Sequence, residues 1–146
     1  MIVNYGYINK IVSSQELLNL KEQPYDILYA EPLHAIIPHR VVIRNWTVEH
    51  PYICNDSLLK IKVGDIEFGQ VPTTGFLDVV ENQFVVINIS NCSPKLSDSV
   101  INKPLSLVNE GTSNLLEGDS FLELHVFYSD VGGDDTLSKK HFKTIK

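Results

Sequence analysis

The sequence predicts an all-β protein, built as an antiparallel sandwich or barrel with one short helix near its start. Short apolar stretches that alternate with a period of two recur along most of the chain, and turn-forming residues separate them. Helical patterns do not alternate with these stretches, which argues against a parallel, doubly wound sheet. About nine short strands at such spacings are typical of a sandwich or a barrel.

The helix is predicted at Ser13–Lys21. Ser13 and Glu16 have the spacing of a capping box, in which each side chain binds the other residue's backbone N–H. Val12 and Leu17 occupy the positions of a hydrophobic staple, which packs across the start of a helix. This is the one segment whose pattern predicts a helix of roughly two turns, at 3.6 residues a turn.

The predicted strands have distinct inner and outer faces. The first, MIVNYGYI, places Val3, Tyr5 and Tyr7 on one face. The others, in chain order, are YDILYA, HRVVIRNW, LLKIKV, IEF, GFLDVV, QFVVINIS, PLSLV and FLELHVFY. In the last of these, four side chains are predicted to point inward: Leu122, Leu124, Val126 and Tyr128.

Turn residues separate the strands. Gly64 and Asp65 predict a tight hairpin, and EPLHAIIP is interpreted as a proline-bounded connection. Before the last strand, Gly118 is expected to turn the backbone without a Cβ penalty. Asp119 is expected to hydrogen-bond within its own turn.

Composition narrows the function classes. The chain has 146 residues, with 12 basic and 18 acidic side chains and a formal net charge of −6. This balance argues against nucleic-acid binding through phosphate neutralisation. No apolar run approaches the roughly 20 residues that a membrane span needs. The start lacks the plan of a secretory signal, so the protein is expected to be intracellular when made unless a leader has been removed. Cys54 and Cys92 are expected to be free thiols in a reducing compartment.

Patterns that carry catalysis or metal binding are absent from the sequence. The five histidines lack metal-ligand spacing, and neither a nucleophile elbow nor a glycine-rich phosphate loop occurs. We therefore expect no enzyme activity, metal or cofactor. His125, on an outward strand face, and Trp46, the single tryptophan, are better explained as interface or anchor residues. The interface candidates are Tyr5, Tyr7, Trp46, His125, Phe142 and Ile145.

Two segments resemble the opening and the close of a group of bacteriophage virion proteins. The opening is IVSSQELLNLKEQPYDILYAEP, a capped helix followed by a proline and a strand. The close is NKPLSLV, a polar loop, Glu-Gly-Asp and the strand FLELHVFY. The resemblance brackets residues 12 to 130. The chain departs from it at AEPLHAIIP, where the family often has a glycine-rich stretch.

The resemblance implies a jelly-roll-like β-sandwich over residues 1–130, followed by a C-terminal arm or tail, residues 131–146. It implies a non-enzymatic virion structural protein: a capsid decoration or auxiliary protein, or a head-fibre component. Such a protein is made in the bacterial host cytoplasm and assembled into the virion. Its expected partners are further copies of itself, preferably in a trimer, and virion proteins such as the major capsid protein. Phe142 and Ile145 would anchor the arm.

Two other function classes remain open. A carbohydrate- or cell-surface-binding module would expose Tyr5, Tyr7 or Trp46 in a shallow groove lined by amides and carboxylates. A small jelly-roll enzyme would need converging histidines and carboxylates.

Overall fold

The computed structural model describes residues 2–46, 49–89 and 97–132. These residues form eight strands and two short helices. The elements are β1 (Ile2–Val12), α1 (Ser14–Leu18), β2 (Tyr25–Leu28), β3 (Ala35–Trp46), β4 (Leu59–Val63), β5 (Ile66–Val71), β6 (Gln83–Asn88), α2 (Ser97–Val100), β7 (Leu105–Asn109) and β8 (Phe121–Gly132).

The strands form two antiparallel sheets of four. The first has the order β1-β8-β3-β6 and the second the order β2-β7-β4-β5. We call them the first and the second sheet. Four pairs are nested along the chain: β1 with β8, β2 with β7, β3 with β6, and β4 with β5. The predicted all-β sandwich is confirmed.

The core lies between the inner faces of the two sheets, as the alternation predicted. Val41 and Ile43 are fully buried, whereas Arg40 and Arg44, which flank them in sequence, are exposed. The largest fully buried side chains are Tyr52, Phe76, Leu17, Leu20, Ile27, Ile36, Ile43, Leu59, Ile61, Leu77, Leu105 and Leu107. Each sheet therefore has one apolar face committed to the core and one face left for solvent or a partner.

The capping box at the start of α1 is confirmed. The backbone N–H of Glu16 donates to Ser13 Oγ (3.2 Å), and the N–H of Ser13 donates to Glu16 Oε1 (3.0 Å). Val12 and Leu17 are both fully buried, as a staple requires. The helix ends at Leu18, earlier than predicted, and irregular turns follow it. The four-residue α2 was not predicted.

The first half of β3 was wrongly predicted as a connection. The strand begins at Ala35 and runs through Pro38, which lies opposite Tyr128. The pairing register shifts between Pro38 and Arg40, so His39 is an extra residue in a β-bulge. A proline can lie within β3 because it stands beside this bulge. The extra residue also places both His39 and Arg40 at the surface.

GFLDVV, predicted as a strand, is a turn. The N–H groups of Phe76 and Leu77 both donate to the Thr73 carbonyl, at 3.3 and 2.9 Å. Gly75 has a positive φ of 80°, and its N–H donates to the Asp78 carboxylate. Phe76 and Leu77 are buried in the core, whereas Val80 is half exposed. The predicted hairpin at Gly64 is confirmed, with Val63 paired to Ile66.

The turn before β8 works differently from the expectation. The left-handed residue is Glu117, with φ 64°, and not Gly118. Gly118 is needed because a Cβ there would lie 2.1 Å from the buried Tyr52 ring. The Asp119 carboxylate accepts from the N–H groups of Glu49 and His50 and so fixes a loop distant in sequence.

Strand β8 extends past the alternation predicted to end at Tyr128. It continues to Gly132, which pairs with Ile2, and the His34 ring packs over Gly132. An arm or tail can therefore begin only after Gly132. Cys92, Phe142 and Ile145 lie outside the described residues. Among the residues described, neither helix has the length and apolarity needed to cross a membrane.

Candidate functional interface

The outer face of the first sheet presents three complete cross-strand rows. In the order β1-β8-β3-β6 they are Tyr7–Phe127–Arg40–Asn88, Asn9–His125–Val42–Val86 and Ile11–Glu123–Arg44–Phe84. Trp46 and Phe121 lie opposite each other at one end, and Val3 and Tyr5 extend β1 at the other. We call this surface the outer aromatic face.

Large apolar side chains are unusually exposed on the outer aromatic face. Tyr5 is 82% exposed and Phe84 68%. The other exposed large hydrophobic side chains on it are Val3, Tyr7, Ile11, Val86 and Phe127. Contiguous exposed apolar surface of this kind is uncommon on isolated soluble domains and usually marks an interaction site.

The outer face of the second sheet is different in chemistry. Lys60 Nζ lies 2.8 Å from Glu67 Oε1 and 3.0 Å from Glu110 Oε1, and Lys62 pairs with the same Glu110. Hydrogen bonds to Glu67 and Glu110 raise the pKa of Lys60, and hydrogen bonds from Lys62 and Lys60 lower the pKa of Glu110. This charged, internally paired face is an ordinary solvated surface. The two outer faces therefore differ in polarity and in how many of their groups are already paired.

A chain of polar contacts crosses the outer aromatic face. The Tyr7 hydroxyl bonds His125 Nδ1, His125 Nε2 donates to Glu123 Oε1 at 2.7 Å, and Trp46 Nε1 donates to Glu123 Oε2 at 2.8 Å. The Arg44 guanidinium lies 4.0 Å from the centroid of the Trp46 ring, a cation–π contact. These contacts hold three aromatic rings in fixed positions on an open sheet.

Glu123 is the charged centre of this series of polar contacts. The hydrogen bond from Trp46, and then that from His125, lower the pKa of Glu123, so its carboxylate is ionised at neutral pH. Both ring nitrogens of His125 are already bonded, one to Tyr7 and the other to Glu123. His125 therefore connects the Tyr7 hydroxyl to the Glu123 carboxylate across the face.

No protein-family model and no curated protein matches the sequence. The evidence for function is therefore the outer aromatic face itself.

The structure brings four predicted interface residues onto this one face. Tyr7, Trp46 and His125 share the polar chain, and the Tyr5 ring lies 6.2 Å from that of His39. Phe142 and Ile145 lie outside the described residues. The sequence reasoning did not identify five further members of the face: Arg44, Phe84, Val86, Glu123 and Phe127. The segment QFVVIN did indicate that β6 belongs to a covered face, because a strand that is apolar on both sides is usually covered on both sides.

A separate depression of about 430 Å³ lies between α1 and β2. Its lining combines amides, carboxylates and two tyrosines: Gln15, Glu16, Asn19, Gln23, Pro24, Tyr25, Asp26 and Tyr29. The Tyr29 hydroxyl donates to Asp26 Oδ2 at 2.8 Å, and this bond raises the pKa of Tyr29. Polar groups and an exposed ring together suit a hydroxyl-rich ligand.

One histidine and two carboxylates converge elsewhere, at Glu31, His34 and Asp130. Asp130 Oδ1 lies 2.6 Å from His34 Nδ1, whereas Glu31 Oε2 lies 3.8 Å from Nε2. The carboxylates face opposite nitrogens of one ring, and a metal ion binds a histidine through one nitrogen. The arrangement is therefore better explained as a bridge that ties the loop before β3 to β8.

Proposed function

We propose that this chain is a non-enzymatic structural protein that acts by association through its outer aromatic face. The observation that carries the proposal is the contrast between the two sheets. One outer face carries paired charges, whereas the other exposes tyrosine, phenylalanine and valine side chains on three of its four strands, β1, β6 and β8.

The composition of the face suits a protein partner. Tyrosine, tryptophan and arginine are the residues most enriched at the energetic centres of protein interfaces. Tyr7, Trp46 and Arg44 are already held by His125, Glu123 and ring contacts. Little side-chain freedom remains to be lost on binding, and the conformational cost of association is correspondingly small.

The sequence resemblance supplies the biological setting: a virion, with further copies of the chain and the major capsid protein as partners. It favours a capsid decoration, auxiliary or head-fibre protein and a trimer. The strand order supports a jelly roll, since β1·β8, β2·β7, β3·β6 and β4·β5 are the pairs expected when one long hairpin wraps into two sheets.

The proposal also assigns residues 133–146 as an arm. These residues carry four lysines and two aspartates, whereas the rest of the chain carries eight basic and sixteen acidic side chains. A basic arm is therefore attracted to the acidic body of a neighbouring copy. Deleting residues 134–146 should leave the thermal midpoint of the domain unchanged and weaken assembly. Normal incorporation of the truncated protein into particles contradicts the arm.

Association through the face is tested by replacing Phe84 and Phe127 with serine, singly and together. We expect self-association in sedimentation, and recovery with gradient-purified phage particles, to fall at least tenfold in the double variant. Glu67→Ser, on the charged outer face of the second sheet, is the matched control and should behave as wild type. A wild-type protein that stays monomeric at high concentration and is absent from particles overturns the proposal.

A second candidate function is carbohydrate or cell-surface binding. The depression beside Tyr29 favours it, because its amides, carboxylates and exposed ring are the groups that recognise hydroxyl-rich ligands. The candidates from the sequence, Tyr5, Tyr7 and Trp46, lie instead on the outer aromatic face. Glycan-array binding that is lost in Tyr29→Ala, and kept in the Phe84→Ser Phe127→Ser variant, would favour this function over the first.

A further inference from the structure

The edge of the first sheet formed by β1 lacks the protection that the other edges have. β1 is eleven residues long and pairs with β8 over its whole length without a register shift. Its other edge has no partner strand among the described residues. It contains a single charged side chain, Lys10, and no proline.

The other sheet edges are protected in recognisable ways. β2 has four residues and a register shift, and the pairing of β5 with β4 shifts near the charged Glu67. β6 has six residues and contacts β5, where Ile87 packs against Gly69. Short length, bulges and charges are the usual devices that prevent edge-to-edge pairing. A long, regular and nearly uncharged edge is a template for another strand.

We propose that β1 pairs antiparallel with β1 of a second copy, which joins the two first sheets into one continuous sheet of eight strands. This inference rests on the proposed function: it adds the β1 edge as a second self-association surface beside the outer aromatic face, and it replaces the trimer implied by the resemblance with a dimer. The contact is isologous: each copy contributes the same strand, so a twofold axis relates the two copies.

The register of the β1–β1 pairing follows from the part of the β1 edge that has no hydrogen-bond partner in the described part of the chain. The Ile11 carbonyl already accepts the Tyr25 hydroxyl at 3.3 Å, which leaves Ile2–Lys10 open. Self-pairing of that stretch is centred on Gly6 and sets Tyr5 opposite the partner's Tyr7. Gly6 has no side chain, and the Tyr128 ring occupies the place where its Cβ would be. The centre of the contact is therefore narrow, and tyrosines flank it on the outer face.

The charges of the edge also permit this pairing. Lys10 would lie opposite the partner's Ile2, at one end of the contact. The two copies of Lys10 are then eight residues apart along the strands, about 26 Å at 3.3 Å a residue. This separation exceeds the Debye length of about 8 Å at physiological ionic strength, so their repulsion is screened. The joined sheet carries two outer aromatic faces side by side for a larger partner.

The test is amide hydrogen exchange combined with sedimentation, at low and high concentrations of the full chain. Peptides from β1 should gain protection as concentration rises, and peptides from β6 should not. Asn4→Lys adds a charge to the edge strand on the side away from Tyr5 and Tyr7, and it should weaken dimerisation about tenfold, or 1.4 kcal/mol. Asn4→Ser is the matched control, and an unchanged thermal midpoint shows that both variants fold.

The outcomes separate this inference from the proposed function. A dimer whose β1 protection is lost in Asn4→Lys supports the inference. A trimer, or association that Phe127→Ser abolishes while Asn4→Lys does not, overturns the β1 pairing and leaves the proposed function standing. A strict monomer that binds no particle overturns both.

Discussion

The indole N–H of Trp46 donates a hydrogen bond of 2.8 Å to the Glu123 carboxylate, across neighbouring strands and 77 residues of sequence. His125 donates to the other oxygen of the same carboxylate at 2.7 Å. Glu123 therefore connects β3 to the polar chain that ends at Tyr7 on β1. The outer aromatic face is organised around this one acidic side chain.

The fluorescence of Trp46, the single tryptophan, should report on the protonation of Glu123 during an acid titration. Its pKa is lowered from the ordinary value of 4.5, first by the bond from Trp46 and then by that from His125. A lowered folded-state pKa means that the carboxylate contributes stability above the unfolded pKa, and that this stability is lost as pH falls through the folded value. Trp46 fluorescence should change below the usual glutamate range.

The control for this titration is the variant Trp46→Phe. In both proteins the titration of Glu123 is measured through the NMR resonance of its carboxyl carbon. Removing the indole donor should move the pKa of Glu123 upward, because the first-named cause of its shift is lost. A Glu123 resonance that titrates identically in both proteins contradicts the bond.

Loss of the cap at Ser13 should destabilise the protein. In Ser13→Ala the N–H of Glu16 loses its acceptor, and the expected cost is about 1 kcal/mol in the free energy of unfolding. Ser14→Ala, at the first helical position, is the matched control and should change it by less than about 0.5 kcal/mol. Chemical denaturation measures both. Equal midpoints for the two variants would show that the capping box contributes nothing.

The neighbouring positions Glu117 and Gly118 should differ in how much a substitution destabilises the protein. Gly118→Ala forces a Cβ against the Tyr52 ring, 2.1 Å away, and should cost about 1–3 kcal/mol. Glu117→Gly removes the strain of a left-handed φ of 64°, which costs about 1 kcal/mol. This gain offsets the similar entropic cost of introducing a glycine. Thermal unfolding should show a lower midpoint for the first variant and little change for the second.

The thiol of Cys54 should be slow to react. Burial raises its pKa from 9.0 to about 11, so at pH 8 the thiolate is about a hundredfold scarcer than for an ordinary cysteine. Ellman's reagent, used on a Cys92→Ser variant, should label Cys54 slowly in the native protein and rapidly in denaturant. Rapid labelling of the native protein contradicts the raised pKa and the half-buried position of Cys54.

Local sequence patterns predicted the fold well where contacts between residues close in sequence determine the structure. Leu122 and Leu124 alternate with Glu123 because a strand has two faces, and Ser13 and Glu16 cap a helix through contacts three residues apart. The sequence could not show that Pro38 lies inside a strand, because the bulge at His39 depends on the pairing with β8.

The outer aromatic face was predicted only in part for the same reason. Exposed tyrosines near the start of the chain and an outward His125 were visible as candidates. The contact of Glu123 with Trp46, and the rows that join Phe127 to Phe84 across β3, exist only through the strand order. Gly118 was correctly singled out, but its role comes from Tyr52, which is 66 residues away in sequence.

The pairing of Ile2 with Gly132 has a consequence during synthesis. β1 is synthesised before β8, the last described strand, and its sheet cannot form until β8 is available. Until then the apolar side chains of β1 are open to chaperones and to other nascent chains. Contacts between such distant segments also make folding slow. We therefore expect the first sheet to form only after β8 has been synthesised, and the chain to be most prone to aggregation when many copies are translated at once.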